Sequence, residues 1–367
     1  MKLENLLNYT QPTKYIVSDE FYDDSYKTPV LTAGKTFILG YTNDEGGIYE
    51  ASKSPIILFD DFTTDTKWVD FDFKVKSSAC KILTLKNANG VEDLKYIYYA
   101  MMNIKFDASQ HMRYWISKYS QCEIAYPEKN ERFYVVRALD SINQIILRER
   151  QHLKLLDELT KSRFIEMFEN KGFSFLPFSK YADIIDGDRG KNYPKATDFS
   201  DNGYCLFLNA KNVTKEGFSF EQTQFISKEK DAALRKGKLQ RKDIVITTRG
   251  TIGNIAYYDE TIPYDNIRIN SGMVIIRRQN ISYNPFFFLY AFRNKVEEIK
   301  AKNVTGVAQP QLPIHIMSKI QLLNPPIELQ NEFAEFVKLI DKLKFKAQER
   351  IKLYQELLNK KMDEYFN

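Results

Sequence analysis

Pro127-Glu128-Lys129-Asn130-Glu131-Arg132-Phe133 opens a charged, apolar-striped stretch that runs to Phe168, and Pro325 to Phe366 repeats its outline without a gap. At this offset of 198 positions Pro127 meets Pro325, Ile142 meets Ile340 and Leu155 meets Leu353, while Glu158, Leu159 and Phe168 meet Glu356, Leu357 and Phe366. A fixed internal period is weighed before any local pattern, because overlooking it misassigns the whole fold. Each copy follows a longer stretch of strand-like sequence. The chain therefore reads as a globular head and a long helix, twice over.

Heptad spacing tells how the helices bury themselves. In the second copy Phe333, Ile340, Ala347 and Tyr354 fall seven apart, and Phe336, Leu343 and Leu357 form a second column that Arg350 interrupts. In the first copy Val135, Ile142 and Leu156 share one column, broken by Glu149, and Ala138, Ile145 and Leu159 share the other. This is an imperfect coiled-coil seam, and the obvious partner of each helix is its own copy, paired antiparallel. Such a helix spans roughly 60 Å at ~1.5 Å per residue. Leu139, Ile146 and Leu153 on the first helix, and Val337 and Ile351 on the second, fall outside that seam and are expected to bind partner helices.

The expected divisions are 1–126, 127–171, 172–324 and 325–367. In the first head Ser54 to Phe59 and Cys80 to Leu85 read as strands, and Leu94 to Met102 as a short aromatic helix. In the second, Tyr204–Leu208, Asp243–Thr247 and Met273–Ile276 read as strands, and Pro285 opens a helix. The heads are weak copies of one another. In each, a buried strand ends in a Thr-rich loop, a second strand follows a Ser-rich turn, and an aromatic helix closes the unit.

With 367 residues, 43% hydrophobic and 28% charged, the chain is long enough for two or three domains with real cores. A net charge of +5 permits nucleic-acid binding without requiring it. Cys80, Cys122 and Cys205 form no CxxC pair, and His111, His152 and His315 are isolated, so neither a disulfide framework nor a zinc site is expected. No signal core or bilayer-length apolar run occurs, so a soluble, cytoplasmic chain is expected.

Catalytic signatures fail on inspection. Asn324-Pro325-Pro326-Ile327 resembles the Asn-Pro-Pro-aromatic motif of amino-methyltransferases, but Ile327 offers no ring to stack on a flipped base, and no nucleotide-binding glycine loop follows a strand. Thr247-Thr248-Arg249-Gly250-Thr251-Ile252-Gly253-Asn254 lacks the Gly-Lys-Ser/Thr ending of a phosphate loop. The polar loops suit DNA better. Arg can fork onto guanine, and Asn or Gln onto adenine. The candidates are Thr63, Thr64, Lys67, Lys76, Ser77 and Arg113 in the first head. In the second they are Arg189, Lys191, Thr248, Arg249, Asn254, Arg268 and Asn270, with Gln309 and Gln311 on the Pro-stiffened stretch Gly306–Pro313.

Together these stretches resemble the specificity subunits of type I restriction-modification systems. Asp186-Gly187-Asp188-Arg189-Gly190-Lys191-Asn192-Tyr193-Pro194, Lys242 to Asn254, Asn270-Ser271-Gly272-Met273 and Ala308-Gln309-Pro310-Gln311-Leu312-Pro313 follow that family's order, and Pro325-Pro326 with Gln330 and Phe333 opens the distal helix. The first head resembles another variety of recognition domain through Gln11-Pro12-Thr13-Lys14-Tyr15, Thr28 to Gly34 and Phe59 to Thr64. It departs in showing His111-Met112-Arg113-Tyr114-Trp115 where the Ala-Gln-Pro-Gln-Leu-Pro loop belongs.

The resemblance implies an α+β protein: two α/β target-recognition domains separated by two long helices in an antiparallel coiled coil. Each domain would read half of a split site in double-stranded DNA. Two modification (methyltransferase) subunits would dock on the helices, and restriction subunits with ATP-dependent translocation would join them. No cofactor is expected in this chain; S-adenosylmethionine, ATP and Mg would belong to the partners. Two rival readings are a self-sufficient adenine DNA methyltransferase and a coiled-coil adaptor that binds no nucleic acid.

Overall fold

A computed structural model describes residues 1–366 of the protein apart from 33–35, 88–89, 111, 170, 216, 251, 280–282 and 304–311. The chain forms two compact units, Met1–Leu153 with Phe345–Asn367, and Lys154–Lys344. Each long helix thus contributes one part to each unit rather than standing as a segment of its own.

The first unit runs α1 (Leu3–Leu6), β1 (Leu7–Thr10), β2 (Thr28–Leu31), β3 (Ile38–Thr42), β4 (Ile56–Asp60), β5 (Thr66–Val69), β6 (Lys74–Val75), β7 (Cys80–Leu85), α2 (Val91–Asn103), α3 (Tyr114–Ser117) and the start of α4 (Lys129–Phe168). Its sheets have the orders β1-β7-β4-β5 and β3-β2-β6. Ile57, Phe59 and Leu83 face Leu94, Ile97, Trp115 and Tyr119 on one side of the first sheet, and Ile56, Leu58, Cys80 and Ile82 face Leu31, Phe73 and Val75 on the other. A strand covered on both faces needs an unbroken apolar run, which Ile56-Ile57-Leu58-Phe59 supplies.

The second unit contains β8 (Phe175–Pro177), β9 (Ala182–Asp186), β10 (Cys205–Leu208), the hairpin β11 (Val213–Thr214) and β12 (Gly217–Phe218), β13 (Phe225–Ile226), α5 (Lys228–Ala233), β14 (Ile244–Thr247), β15 (Ile255–Tyr257), β16 (Ile267–Ile269) and β17 (Met273–Arg278). It closes with α6 (Pro285–Asn303), α7 (Ile314–Met317), β18 (Gln321–Leu323) and the start of α8 (Ile327–Phe366). The sheet orders β9-β17-β14-β15 and β13-β10-β16 repeat those of the first unit strand for strand. In both, the three-stranded sheet holds one parallel pair, β2 with β6 and β10 with β16. Burial pushes the thiols of Cys80 and Cys205 up to about 12, and all three cysteines are free. Among the described residues no helix is long and apolar enough to cross a membrane.

Asn324-Pro325-Pro326 is a helix entry. The Asn324 N–H donates to the Ser174 carbonyl, and the buried Gln330 amide donates to the Pro325 carbonyl 2.8 Å away.

Both long helices pair through a seam spaced four-three. On α4 it runs Val135, Leu139, Ile142, Ile146, Glu149, Leu153, Leu156, Thr160; on α8 it runs Phe333, Val337, Ile340, Lys344, Ala347, Ile351, Tyr354, Leu358. In the first unit Val135, Leu139, Ile142 and Ile146 pack with Ile351, Tyr354, Leu358 and Tyr365, under Tyr96 and Tyr99 of α2. In the second unit Phe164 and Phe168 pack on Phe333, beside Phe336 and Val337. The pairing is antiparallel in each. Glu149 meets Arg350 and Tyr134 meets Tyr365 in the first; Asp157 meets Lys344 and Arg163 meets Glu332 in the second.

This corrects the expected division of the helix faces. Leu139 and Ile146 are buried, and Leu153, Val337 and Ile351 are half-buried, so these five are seam residues and do not form an outward partner-binding face. Leu159, Leu343 and Leu357, expected in the seam, are exposed. The spacings 135-138-142-145 and 135-139-142-146 are both apolar, and α2 settles the choice by covering Leu139. Glu149 and Arg350, which look like flaws in separate columns, bind each other through two contacts of 2.8 Å.

Candidate nucleic-acid interface

Three segments meet at one end of the four-stranded sheet in each unit, and the same backbone hydrogen bonds join them. In the second unit the Thr248 N–H, just past β14, donates to the Gly272 carbonyl before β17, and the Thr248 carbonyl accepts the Leu312 N–H before α7, at 2.8 and 3.1 Å. In the first unit the Asp61 N–H, just past β4, donates to the Ala79 carbonyl before β7, and the Asp61 carbonyl accepts the Tyr114 N–H of α3, at 3.0 and 2.9 Å. Asp61 therefore occupies the place of Thr248, and Tyr114 that of Leu312. In sequence Arg113 precedes Tyr114 as Gln311 precedes Leu312. Gln309 and Gln311 themselves lie outside the described residues.

Different side chains fasten the same frame. In the first unit Lys81 and Asp61 form an ion pair of 3.1 Å with both side chains almost wholly buried. The second oxygen of Asp61 accepts the Trp115 N–H at 2.8 Å, and Lys81 also donates to Gln11 at 2.9 Å. In the second unit the matching residues are Val274, Thr248 and Pro313. Proline has no N–H to satisfy, and the Thr248 hydroxyl donates to the Gly272 carbonyl instead, at 3.0 Å. Donor and acceptor have disappeared together, leaving no orphan. Asp61 lies in the Phe59–Thr64 stretch and Lys81 in an apolar strand, and nothing in the sequence marks the two as partners.

The loops themselves are sharply bent. Thr64 has φ 64°, and its place is filled in the second unit by Gly253 with φ 78°; the Thr64 N–H donates to the Asp60 carbonyl as the Gly253 N–H donates to the Thr247 carbonyl. Asp60 shapes the first loop by accepting the Phe62 N–H and the Thr63 hydroxyl, at 2.8 and 2.7 Å. Around Asp186–Gly190 the chain passes so near the 270–271 turn that a Cβ on Gly187 would lie 2.2 Å from the Asn270 carbonyl oxygen. Asp188 is buried there and accepts the Gly190 and Arg235 N–H groups, both at 2.7 Å. Those two bonds, with the Arg235 guanidinium, hold its carboxyl well below the usual carboxylate range.

The expected contact residues separate into three kinds. Arg249 and Lys191 are exposed, and Arg113 is exposed while touching the Ser78 hydroxyl at 3.3 Å. Arg189 is exposed yet steadied by Asp186 and the Ser271 carbonyl, both at 3.2 Å. These four cations can reach a ligand. Lys67, Thr64, Ser77 and Asn270 are half-buried at the rim; Ser77 accepts the Ala79 N–H and Asn270 accepts the Gly272 N–H, so each also shapes its turn. Thr63 is exposed with its hydroxyl given to Asp60, and Lys76 is paired with Glu20.

The rest are structural. Arg268 is a correction. It is buried, and its guanidinium donates to Asp231 and to the carbonyls of Lys236, Asp231 and Leu234, so nothing is left to offer DNA. Burial alone would raise the Asp231 pKa, but Lys238 and Arg268 together bring it below the usual value. Asn254 is a second correction, since its amide donates to the Val213 carbonyl at 2.9 Å. Thr248 is a third, its hydroxyl being spent on the frame. Among the described residues no group of His, Cys, Asp or Glu could hold a metal ion.

The chain is similar to known proteins over its whole length. Residues 177–355 match the family model described as the type I restriction modification DNA specificity domain. The Type I restriction enzyme EcoR124I/EcoR124II specificity subunit of Escherichia coli is 31% identical over 385 residues, covering 100% of this chain and 92% of that protein. Among solved structures, the S subunit of a type I restriction-modification system from M. genitalium superposes with a TM-score of 0.56 at 15% identity, covering 100% of this chain and 95% of that one. A chain from a study of complex assembly and conformational transition of the type I R-M system gives 0.53 at 12% identity, over 98% and 97%. At these identities the two structures speak for the fold.

Proposed function

Since the chain belongs to the family of type I restriction-modification specificity subunits, we propose that its two units each read one half of a bipartite site in double-stranded DNA. It is a non-catalytic DNA-recognition subunit, and subunits of this kind act in assembly with others and with DNA. The observation that supports a half-site for each unit is the duplicated three-segment frame, built from different side chains in the two copies. A shared frame sets the same approach to the duplex, and different loops read different bases. Arg113, Thr64, Lys67 and Ser77 are the proposed contacts of the first unit. Those of the second are Arg189, Lys191, Arg249 and Asn270, with Gln309 and Gln311 on the adjoining segment. Some hold phosphates and give register, and some meet base edges and give sequence.

The paired helices hold the two half-sites at a set spacing and dock two modification subunits, which supply S-adenosylmethionine and the adenine chemistry. Restriction subunits with ATP and Mg complete the assembly. The docking residues we propose are exposed and related by the internal repeat: Leu147 with Phe345, Leu155 with Leu353, and Leu159 with Leu357. Two like surfaces on one chain suit two like partners. Truncating a seam residue would instead loosen the coil.

The test is adenine methylation across the host genome with and without this chain. Loss at one split motif is the expected result and reveals both half-sites at once. Methylation that does not change on deletion would sink the proposal and favour an adaptor that binds no nucleic acid.

A further inference from the structure

We propose that Lys14 is a DNA-contacting residue of the first unit and the counterpart of Arg189 in the second. The inference rests on the half-site reading above and gives a role to a residue that was not among the expected contacts.

Strand register makes the equivalence. Asp60 pairs with Cys80 in the first unit as Thr247 pairs with Met273 in the second. Two residues along, Ile82 matches Ile275. Thr10 pairs with Ile82, and Ile185 with Ile275. Four residues beyond these partners, at the end of the sheet where the three segments meet, stand Lys14 and Arg189. Counted from these strands, the turn Gln11-Pro12-Thr13-Lys14-Tyr15 takes the place of Asp186-Gly187-Asp188-Arg189-Gly190; the first is a single 3-10 turn and the second an irregular loop, and the two share no residue.

Both units commit buried contacts to this one turn. In the first, the Gln11 side chain accepts from buried Lys81 at 2.9 Å, and Pro12 is buried. Tyr15 meets Tyr49 edge-on with ring centres 4.9 Å apart. A Cβ on Gly47, whose φ is 62°, would lie 2.0 Å from the Lys14 carbonyl oxygen, so the backbone is gripped from behind. Gln11, Thr13 and Lys14 are exposed, and Lys14 is the one cation among them. The second unit reaches the same end by other means, with Asp188 buried, Gly187 against the 270–271 turn, and Arg189 exposed. A rigid turn that displays one cation lowers the ordering cost of gripping an anion. Two unrelated sequences arriving at this display, at the same station beside the reading loops, point to a shared ligand, and the negatively charged duplex is the one on which both units converge.

The experiment uses the full chain in complex with its partner subunits and maps methylated sites for Lys14→Ala, Lys14→Glu and Arg189→Glu. Lys14 is exposed, so thermal melts of the variants should match the parent. Lys14→Glu should reduce methylation of the parental motif about tenfold or more, whereas Lys14→Arg should restore it. A broadened preference confined to one half-site would mark a base contact. A uniform fall, with the slope of log affinity against log salt shallower by ~0.9, would mark a phosphate contact; either supports the proposal. Arg189→Glu should act on the other half-site. Lys14 variants that match the parent in motif and efficiency, while Arg189→Glu does not, would overturn the assignment and leave the half-site reading standing. A parent chain that directs no methylation to a split motif would overturn both.

Discussion

Arg268 shows how a loop-rich, basic chain can spend its cations inward. It holds β16 to α5 through Asp231 and three carbonyl oxygens, and Lys74 on β6 does the same in the first unit through Asp44 at 2.8 Å. Arg268→Ala would leave the buried Asp231 with Lys238 alone and three carbonyls without their donor, and removing one partner of a buried pair costs up to about 3–5 kcal/mol. The variant should melt well below the parent; an unchanged melting temperature would contradict the network. Asp188 supplies a pH dependence. Its pKa lies below the unfolded value of 3.8, so its stabilisation is present above that value and is lost as pH falls through the folded one. Asp188→Asn should therefore weaken the protein at neutral pH and flatten its acid-denaturation limb. Unfolding followed between pH 7 and pH ~2 checks this, and parallel acid limbs would refute it. Neither residue announces its role in the sequence, where Arg268 and Arg249 look alike. Only the fold distinguishes a cation in the middle of a strand from one at a loop tip. The equivalence of Lys14 and Arg189 is hidden for the converse reason, since the turn Gln11–Tyr15, though legible as a stretch, shares no residue with its counterpart.

At the level of elements, the repeat, the antiparallel pairing and the unbroken apolar strands were legible because each depends on a periodicity that sequence states directly. The face of the helices was not. With Ala138 beside Leu139 and Ile145 beside Ile146, two seams fit equally, and the choice is made by Tyr96 and Tyr99 from α2, a long-range contact. The corrected faces make a paired prediction. Leu139→Ala, deep in the seam, should cost about 2–5 kcal/mol of stability. Leu155→Glu with Leu353→Glu should leave the melt nearly unchanged and abolish co-purification of the modification subunits. If instead the double variant still binds those subunits, the outward stripe is not their docking surface.

For the whole molecule, the duplicated frame predicts separable readers. Arg249→Ala and Arg113→Ala should each relax or weaken one half of the recognised motif, a different half in each case, as read by sequencing of methylated sites. A change at both halves from either substitution would argue against independent units. The contact between Glu149 and Arg350 carries a consequence of another kind. Shifted by the 198-residue period, the place of Arg350 falls on His152, and that of Glu149 on Ala347. Two copies of α4 laid together would set Glu149 against His152, and two copies of α8 would set Arg350 against Ala347. The bidentate contact forms only between unlike helices. Half-exposed as it is, it adds little to stability, but it lets a chain built from near-duplicates tell its complementary half from an identical one. Glu149→Leu with Arg350→Leu should erase that distinction and raise self-association with concentration, read by sedimentation; unchanged association would mean that recognition of the complement resides elsewhere along the coil.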